Sequence, residues 1–303
     1  MSRILVTGGS GQLGQSLAQL SSPRVGDQPS KQSAAQSWTF LSRRELDLAQ
    51  TDGLAGLLES LLIAAAQSPL GPYTHLIHTA AYTQVDAAET NESLAFAINK
   101  TATEIIAKVC AAHGICLIYI STDFVFSGHR DRPWRPSDPI APQGVYARSK
   151  AAGEAAVAAF CPAYYTVRTS WLYSPFGHNF VKTMLRLAES HSSLKVVSDQ
   201  LGSPTSALDL AAALIDLIAH PETSYGAHHF SNTGHCSWAQ FASEIFKQAG
   251  LAIQVQPITT AQFAAAAPRP QYSVLENSLS FPARSWPDAL GAVLAQLPTP
   301  LSN

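Results

Sequence analysis

The feature that most constrains this chain is an alternation. Ile4 to Thr7, Trp38 to Leu41, Leu76 to Thr79, Leu117 to Ser121 and Tyr165 to Arg168 are short apolar or β-branched runs, with helical patterns between them. Such runs read as buried strands, and strands that alternate with helices make βαβ units. With right-handed crossovers these units build a parallel sheet covered by helices on both faces, whose ligand crevice lies at the carboxyl ends of the strands. The expected fold class is therefore α/β, a Rossmann-like doubly wound parallel sheet. After about Trp171 the alternation loosens. Residues 1–170 are expected to form the sheet domain, completed by about 204–232, where "SALDLAAALIDLIAH" reads as a returning helix. The remainder of 171–303 is expected to form a smaller C-terminal α/β region.

Two segments interrupt the spacing. "SSPRVGDQPSKQSAAQS", Ser21 to Ser37, and "AAQSPLGPY", Ala65 to Tyr73, are rich in Ser, Gln, Pro and Gly and read as surface loops or insertions. A formal net charge of -2 with 13% charged residues and no basic run leaves nothing to neutralise a phosphate backbone, which excludes nucleic acid as a partner. The start, "MSRILVTGG", runs straight from a strand into glycines and leaves no room for a signal peptide. The apolar run Leu54 to Ala66 is broken by charge and too short to span a bilayer. A cytoplasmic protein with no membrane partner is expected. Cys110, Cys116, Cys161 and Cys236 show no CxxC spacing and read as buried, reduced thiols. Neither His75 with His78 nor His228 with His229 makes a ligand pair on one helix face, so no metal site is expected.

Directly after the first strand comes "GGSGQLG", with Gly8, Gly11 and Gly14 three apart. Glycine allows the tight turn and brings backbone N–H groups to a pyrophosphate, and the following helix points its positive end at the phosphates. A plain strand-to-helix turn is the competing reading, but strand, loop and helix follow in the order that dinucleotide binding demands. The second strand ends in "FLSRRELDL". Where an acidic residue would suit the adenosine ribose of NAD, this chain has Ser42, Arg43 and Arg44. A guanidinium fork suits a 2'-phosphate, which points to NADPH as the preferred cofactor with NADH as the alternative, Arg43 as the contact and Asp47 and Leu48 near the adenine. Two arginines solvating a loop is the bland alternative. After the third strand, Thr79, Ala80 and Ala81 are small enough for backbone to pass close to a cofactor.

"GVYARSKAAGE" places Tyr146 and Lys150 one helical turn apart on one face. A lone YxxxK is weak evidence, since a tyrosine with a lysine snorkelling past it is common. Its company changes the weighting. "LIYISTDFVFSG" sets Ser121, Thr122 and Asp123 at the carboxyl end of a buried strand. A glycine loop, a hydroxyl after a later strand and YxxxK on the next helix are the parts needed for hydride transfer between a nicotinamide and a carbonyl. Tyrosine, ordinarily near pKa 10, supplies a proton well at neutral pH only if a cation such as Lys150 favours its phenolate. Thr122 would hydrogen bond the substrate oxygen as charge develops there.

These residues and their surroundings resemble the extended short-chain dehydrogenase/reductases and, within them, the dTDP-4-dehydrorhamnose reductases. "TGGSGQLG", "SRRELDL", "HTAAYTQVDAAE", "STDFVFSG", "PQGVYARSKAAGE", "RTSWLYSPFGHNFVKTMLRLA", "VVSDQLGSPT", "HFSNTGHCSWAQFASEIF" and "PRPQYSVLENS" carry the likeness in the family's order. The resemblance implies an NAD(P)H-dependent oxidoreductase that reduces the 4-keto group of dTDP-4-dehydro-L-rhamnose to dTDP-L-rhamnose. It makes Tyr146 the proton donor, gives Lys150 the nicotinamide ribose and the tuning of Tyr146, and gives Thr122 the keto oxygen. It implies that Gly8, Gly11, Gln12 and Leu13 cradle the pyrophosphate, that Ala80, Ala81 and Tyr82 flank the cofactor, and that Asn99 stands near the nicotinamide. Trp171, Asn179, and Gln200 and Pro204 of the "DQLGSPT" run would contact the sugar nucleotide, as would Asp123 and Phe124 beside Thr122. For Trp171 core packing is the competing reading.

Departures narrow the expectation. Relatives that pair through magnesium carry a glutamate in a GQLGxEL pattern, where this chain has Ser16. That argues against magnesium and a metal-linked dimer, leaving a monomer or weak homodimer. An epimerase or another reductase of a nucleotide-linked deoxy sugar is one alternative function. A dehydratase would need an acidic pair after Thr122, where Asp123 and Phe124 stand. A non-catalytic NADP-binding regulatory subunit, like that of methionine adenosyltransferase, is the other.

Overall fold

The computed structural model describes residues 2–22 and 36–297. Six strands form one sheet: β1 (Ser2–Thr7), β2 (Gln36–Leu41), β3 (His75–His78), β4 (Cys116–Thr122), β5 (Tyr164–Thr169) and β6 (Gly226–His229). Their order is β2-β1-β3-β4-β5-β6, and every pairing is parallel. The direction of winding therefore reverses between β1 and β3, which is where an open parallel sheet leaves its crevice. The strands read from sequence are all present, with shifted ends. β4 and β5 each extend to a threonine, Thr122 and Thr169, because those two residues pair across the strands. β3 stops at His78 because Thr79 turns its hydroxyl to the Thr7 carbonyl at 2.7 Å.

Successive side chains of a strand point to opposite faces, and here both faces are buried. Ile4, Val6, Ile77 and Ile118 meet Leu13 and Leu17 of helix α1 (Gln12–Ser21) on one side. Leu5, Leu76, Leu117 and Tyr119 meet α2 (Leu54–Ala66) and α3 (Thr103–Ala112) on the other. Helix α4 (Gly144–Phe160) adds Val157 to that second face. The run "SALDLAAALIDLIAH" forms α6 (Ala207–Ala219), which packs Leu210, Leu214 and Leu217 beside α1. A further core joins Val181 and Met184 of α5 (Phe180–Ala188) to Phe241, Ile245 and Phe246 of α7 (Trp238–Gln248). Leu290 and Val293 of α8 (Trp286–Leu294) close it. Beside this core, Ser193–Val197 pairs in parallel with Gln254–Ile258.

Of the two expected insertions, the first lies mostly outside the described residues: Ser21 closes α1, and Gln36 and Ser37 open β2. The second begins inside α2 and is pinned by Arg3, whose guanidinium donates to the Ala65 and Gly71 carbonyls and to the Ser68 hydroxyl. The four cysteines are buried and unpaired. His78 is a neutral structural link, pushed down to about 3 by burial, with its ring nitrogens 2.7 Å from the Thr7 hydroxyl and 3.2 Å from that of Thr103. Among the described residues no helix is long and apolar enough to cross a membrane.

Candidate active site

Gly8 leaves β1 at φ +72°, and a Cβ there would lie 2.8 Å from the Ala80 nitrogen, so only glycine lets the end of β1 press against the segment after β3. At Gly14 a Cβ would stand 2.4 Å from the Gly8 carbonyl, which is how the loop folds onto the first turn of α1. The N-cap of α1 is Gly11, which offers no side-chain acceptor. The first-turn N–H groups and the positive end of the helix are thus left for an external anion. Gly14→Ala is expected to lower the thermal midpoint by several degrees and to weaken dinucleotide binding together, checked by thermal unfolding and a cofactor titration.

A cleft of about 750 Å³ opens at the carboxyl ends of the strands. Its wall collects Gly8, Gly11, Gln12 and Leu13 after β1, Arg43, Asp47 and Leu48 after β2, and Ala80 and Ala81 after β3. Thr122, Asp123 and Phe124 enter after β4, Tyr146 and Lys150 from α4, and Trp171 and Asn179 from beyond β5. Residues expected from six separate stretches of sequence therefore share one cavity.

Others stand behind it. The Ser42 hydroxyl and amide both donate to Glu45 Oε2 at 2.8 Å, which turns Ser42 away from the cleft. Asn99 sits buried in a π-helical turn, Ala97–Ala102. It accepts from the Tyr82 amide at 2.8 Å and donates to the Tyr82 carbonyl at 3.0 Å and to the Ser149 hydroxyl at 2.9 Å. The amide thus fastens the segment after β3 to α4 and leaves Tyr82 and Asn99 outside the cleft wall. Gln200 donates to Thr260 Oγ1 at 2.9 Å and accepts from the Trp238 indole at 3.2 Å, while Pro204 is buried beyond it. Neither lines the cleft, though Gln200 holds the indole of Trp238, which does. Asn179 does line the cleft, but its amide caps α5 through Lys182 N at 3.1 Å and donates to Gln12 Oε1 at 3.0 Å. That last bond ties the glycine loop to α5.

At the end of β4 the Thr122 hydroxyl donates to Asp123 Oδ1 at 3.0 Å and accepts from Phe124 N at 3.2 Å. Burial pushes the Tyr146 phenol up to about 12, against the opposing pull of Thr122, with the Asp123 charge adding to the rise. Lys150 is pushed down to about 7, again by burial. Its ammonium donates to the Ile120 carbonyl at 2.8 Å and lies 4.0 Å above the Tyr119 ring. The phenol therefore lies above its ordinary value, where a neighbouring cation was expected to lower it, because loss of water dominates. A phenol held high stays protonated at neutral pH, which is the state a proton donor needs. Asp123 is raised to about 6 by burial, and its Oδ2 makes no hydrogen bond among the described residues.

Sequence reading missed Trp238 and Arg269, which also line the cleft. The indoles of Trp238 and Trp171 stack with centroids 3.5 Å apart and 7° between planes. Trp171 adopts φ +46°, a left-handed backbone that a bulky residue takes only when its surroundings hold it there. Gly202 makes room, since a Cβ at that position would meet Trp171 Cε2 at 2.4 Å. A signal for Trp238 existed: Ser237 and Gln240 form a capping box that starts α7 at that tryptophan. Among the described residues no group of three or more His, Cys, Asp or Glu stands ready to hold a metal ion.

A glycine loop at the switch point of a parallel sheet, sharing a cleft with YxxxK and a threonine at the end of β4, defines an oxidoreductase of the extended short-chain dehydrogenase/reductase class. The family model described as "RmlD substrate binding domain" matches residues 1–298. The dTDP-4-dehydrorhamnose reductase of Mycobacterium tuberculosis is 44% identical over 243 residues, 77% of this chain and 80% of that protein. The spore coat polysaccharide biosynthesis protein SpsK of Bacillus subtilis is 35% identical, covering 98% of each chain. The crystal structure of dTDP-4-dehydrorhamnose reductase from Bacillus anthracis in complex with NADP superposes with a TM-score of 0.86 at 35% identity, covering 98% of this chain and 100% of that one. The chain belongs to the dTDP-4-dehydrorhamnose reductase family.

Proposed function

We propose that this chain reduces the 4-keto group of dTDP-4-dehydro-L-rhamnose to dTDP-L-rhamnose, with NADPH preferred. The observation that carries the reading is the meeting of Thr122, Tyr146 and Lys150 in the cleft that also holds the uncapped N-terminus of α1. Residues 1–170 with 204–232 would hold the dinucleotide, and the rest of 171–303 the sugar nucleotide. The uncapped amides of α1 and the glycines that let backbone approach fit a pyrophosphate, and NADPH supplies the hydride when bound. Tyr146 gives its proton to the oxygen left at C4, and the Lys150 ammonium stabilises the phenolate that results. Thr122 spends its one proton on Asp123 in the free protein, so polarising the keto oxygen requires that hydroxyl to turn. Stacked Trp171 and Trp238 present a flat apolar surface to the nucleotide.

Arg43 is exposed and loosely held, its Nε 3.3 Å from Asp47 Oδ1, free to reach a 2'-phosphate. Arg43→Ala is expected to weaken NADPH roughly 10-fold while leaving NADH nearly unchanged. Equal losses would remove the 2'-phosphate assignment. The reaction itself is tested by incubating the protein with enzymatically prepared dTDP-4-dehydro-L-rhamnose and each cofactor, following cofactor absorbance and identifying the sugar. Formation of dTDP-L-rhamnose, faster with NADPH, is the expected result. Cofactor binding without consumption would return the reading to a non-catalytic subunit or another keto sugar.

A further inference from the structure

The proposed reaction leaves one cation of the cleft without a task. Among the described residues that line the cleft, the arginines and lysines are Arg43, Lys150 and Arg269. Arg43 stands with Asp47 at the end beyond β2, and Lys150 is buried on the Ile120 carbonyl. Arg269 belongs to the opposite end. The preceding Pro268 packs on Gly144, where an added Cβ would meet its ring carbons at 3.1 Å, and Gly144 opens the helix whose third residue is Tyr146.

The Arg269 guanidinium is already oriented. Its Nη1 donates to Asp86 Oδ1 and to the Ala267 carbonyl, both at 2.9 Å, and its Nη2 donates to Asp86 Oδ2 at 2.5 Å. Asp86 also accepts from the Ala267 amide at 3.0 Å. The carboxylate reaches across from the short helix Val85–Ala88 after β3, so one ion pair joins two segments of the cleft rim. Both Nη1 hydrogens and one on Nη2 are spent. Nε–H and the second Nη2–H, the side-on edge of the fork, meet no partner among the described residues. Two parallel N–H donors in a fixed plane match two oxygens of a phosphoryl group. With the guanidinium side chain only 18% exposed, little rotamer entropy is left to lose on binding.

We infer that Arg269 receives the diphosphate of the sugar nucleotide on its free edge, with Asp86 as the residue that positions it. This rests on the sugar-nucleotide reading above. The keto carbon must reach Tyr146, and the diphosphate hangs from the same sugar ring. The anion therefore lies within one sugar's width of the phenol, at the end of the cleft that Arg269 occupies. Asp86 offsets part of the arginine charge, so the contribution is directional more than electrostatic.

Calorimetric titrations of the full chain with thymidine diphosphate, thymidine and NADPH test this. Arg269→Gln is expected to weaken thymidine diphosphate roughly 10- to 100-fold while thymidine and NADPH bind as before. Arg269→Lys should recover only part of the loss, because an ammonium keeps the charge and lacks the fork. Asp86→Asn should give a smaller loss, again confined to the diphosphate. Unchanged diphosphate affinity in Arg269→Gln, equal losses for thymidine and its diphosphate, or a loss centred on NADPH would each overturn the inference. A wild-type protein that turns over the keto sugar while Arg269→Gln binds diphosphate normally sinks this inference alone. One that shows the diphosphate pattern without any turnover sinks the reductase reading instead.

Discussion

Tyr146→Phe is expected to bind NADPH as the wild type does and to turn over the keto sugar at least ~100-fold more slowly. The substitution removes one oxygen and keeps the ring, whose edge-on contact with Phe124 at 5.7 Å holds the side chain in place. The lost oxygen carries the phenolic proton, and burial pushes the phenol up to about 12, so it stays protonated throughout neutral pH. Steady-state turnover and a separate cofactor titration check both halves. Near-normal turnover would take Tyr146 out of the mechanism. A matched loss of NADPH binding would make the phenol a cofactor contact instead of an acid.

The second large effect has opposite signs for activity and stability. Lys150→Met is expected to lower turnover by ~100-fold or more and to raise the thermal midpoint at pH 7 by a few degrees. Lys150 is 3% exposed, and burial moves it from 10.5 to about 7. Below pH 7 the amine is charged in both folded and unfolded chains, and the full cost of burying that charge is present. Between about 7 and 10.5 the unfolded chain binds more protons than the folded one, so stability rises with pH and the cost fades. The gain from Lys150→Met should therefore be largest at and below pH 7 and vanish towards pH 10.5. Some of it is offset because the Ile120 carbonyl loses its donor. Thermal unfolding across that range checks the slope, and a variant less stable than wild type at pH 7 would show that the carbonyl and Tyr119 contacts outweigh the burial cost.

Residues whose place in the cleft follows from local order were legible in the sequence. The glycine loop needs only a strand before it and a helix after it, and Tyr146 and Lys150 need only one helical turn. Thr122 needed the rule that ligands gather at the carboxyl ends of parallel strands. Residues set by tertiary packing were not legible. Arg269 meets Asp86 across 183 positions, and no short-range period announces such a pair. Nor does the sequence announce the partners of a buried amide, which is satisfied by whatever surrounds it: Asn99 bonds Tyr82 and Ser149, and Gln200 bonds Thr260 and Trp238. That Tyr146 is raised, where a neighbouring cation was expected to lower it, has a related reason. Spacing along a helix gives proximity, whereas the direction of a pKa shift depends on how much water the fold removes from both partners.

The central claim is hydride delivery to C4 of the sugar with a proton from Tyr146. NADPH deuterated at the transferable position of the nicotinamide tests it most directly, with the sugar product read by NMR. The account predicts one deuterium at C4 of dTDP-L-rhamnose from the wild-type protein and, over the same interval, almost none from Tyr146→Phe. Deuterium retained in the cofactor after sugar conversion, or placed at another sugar carbon, would contradict it.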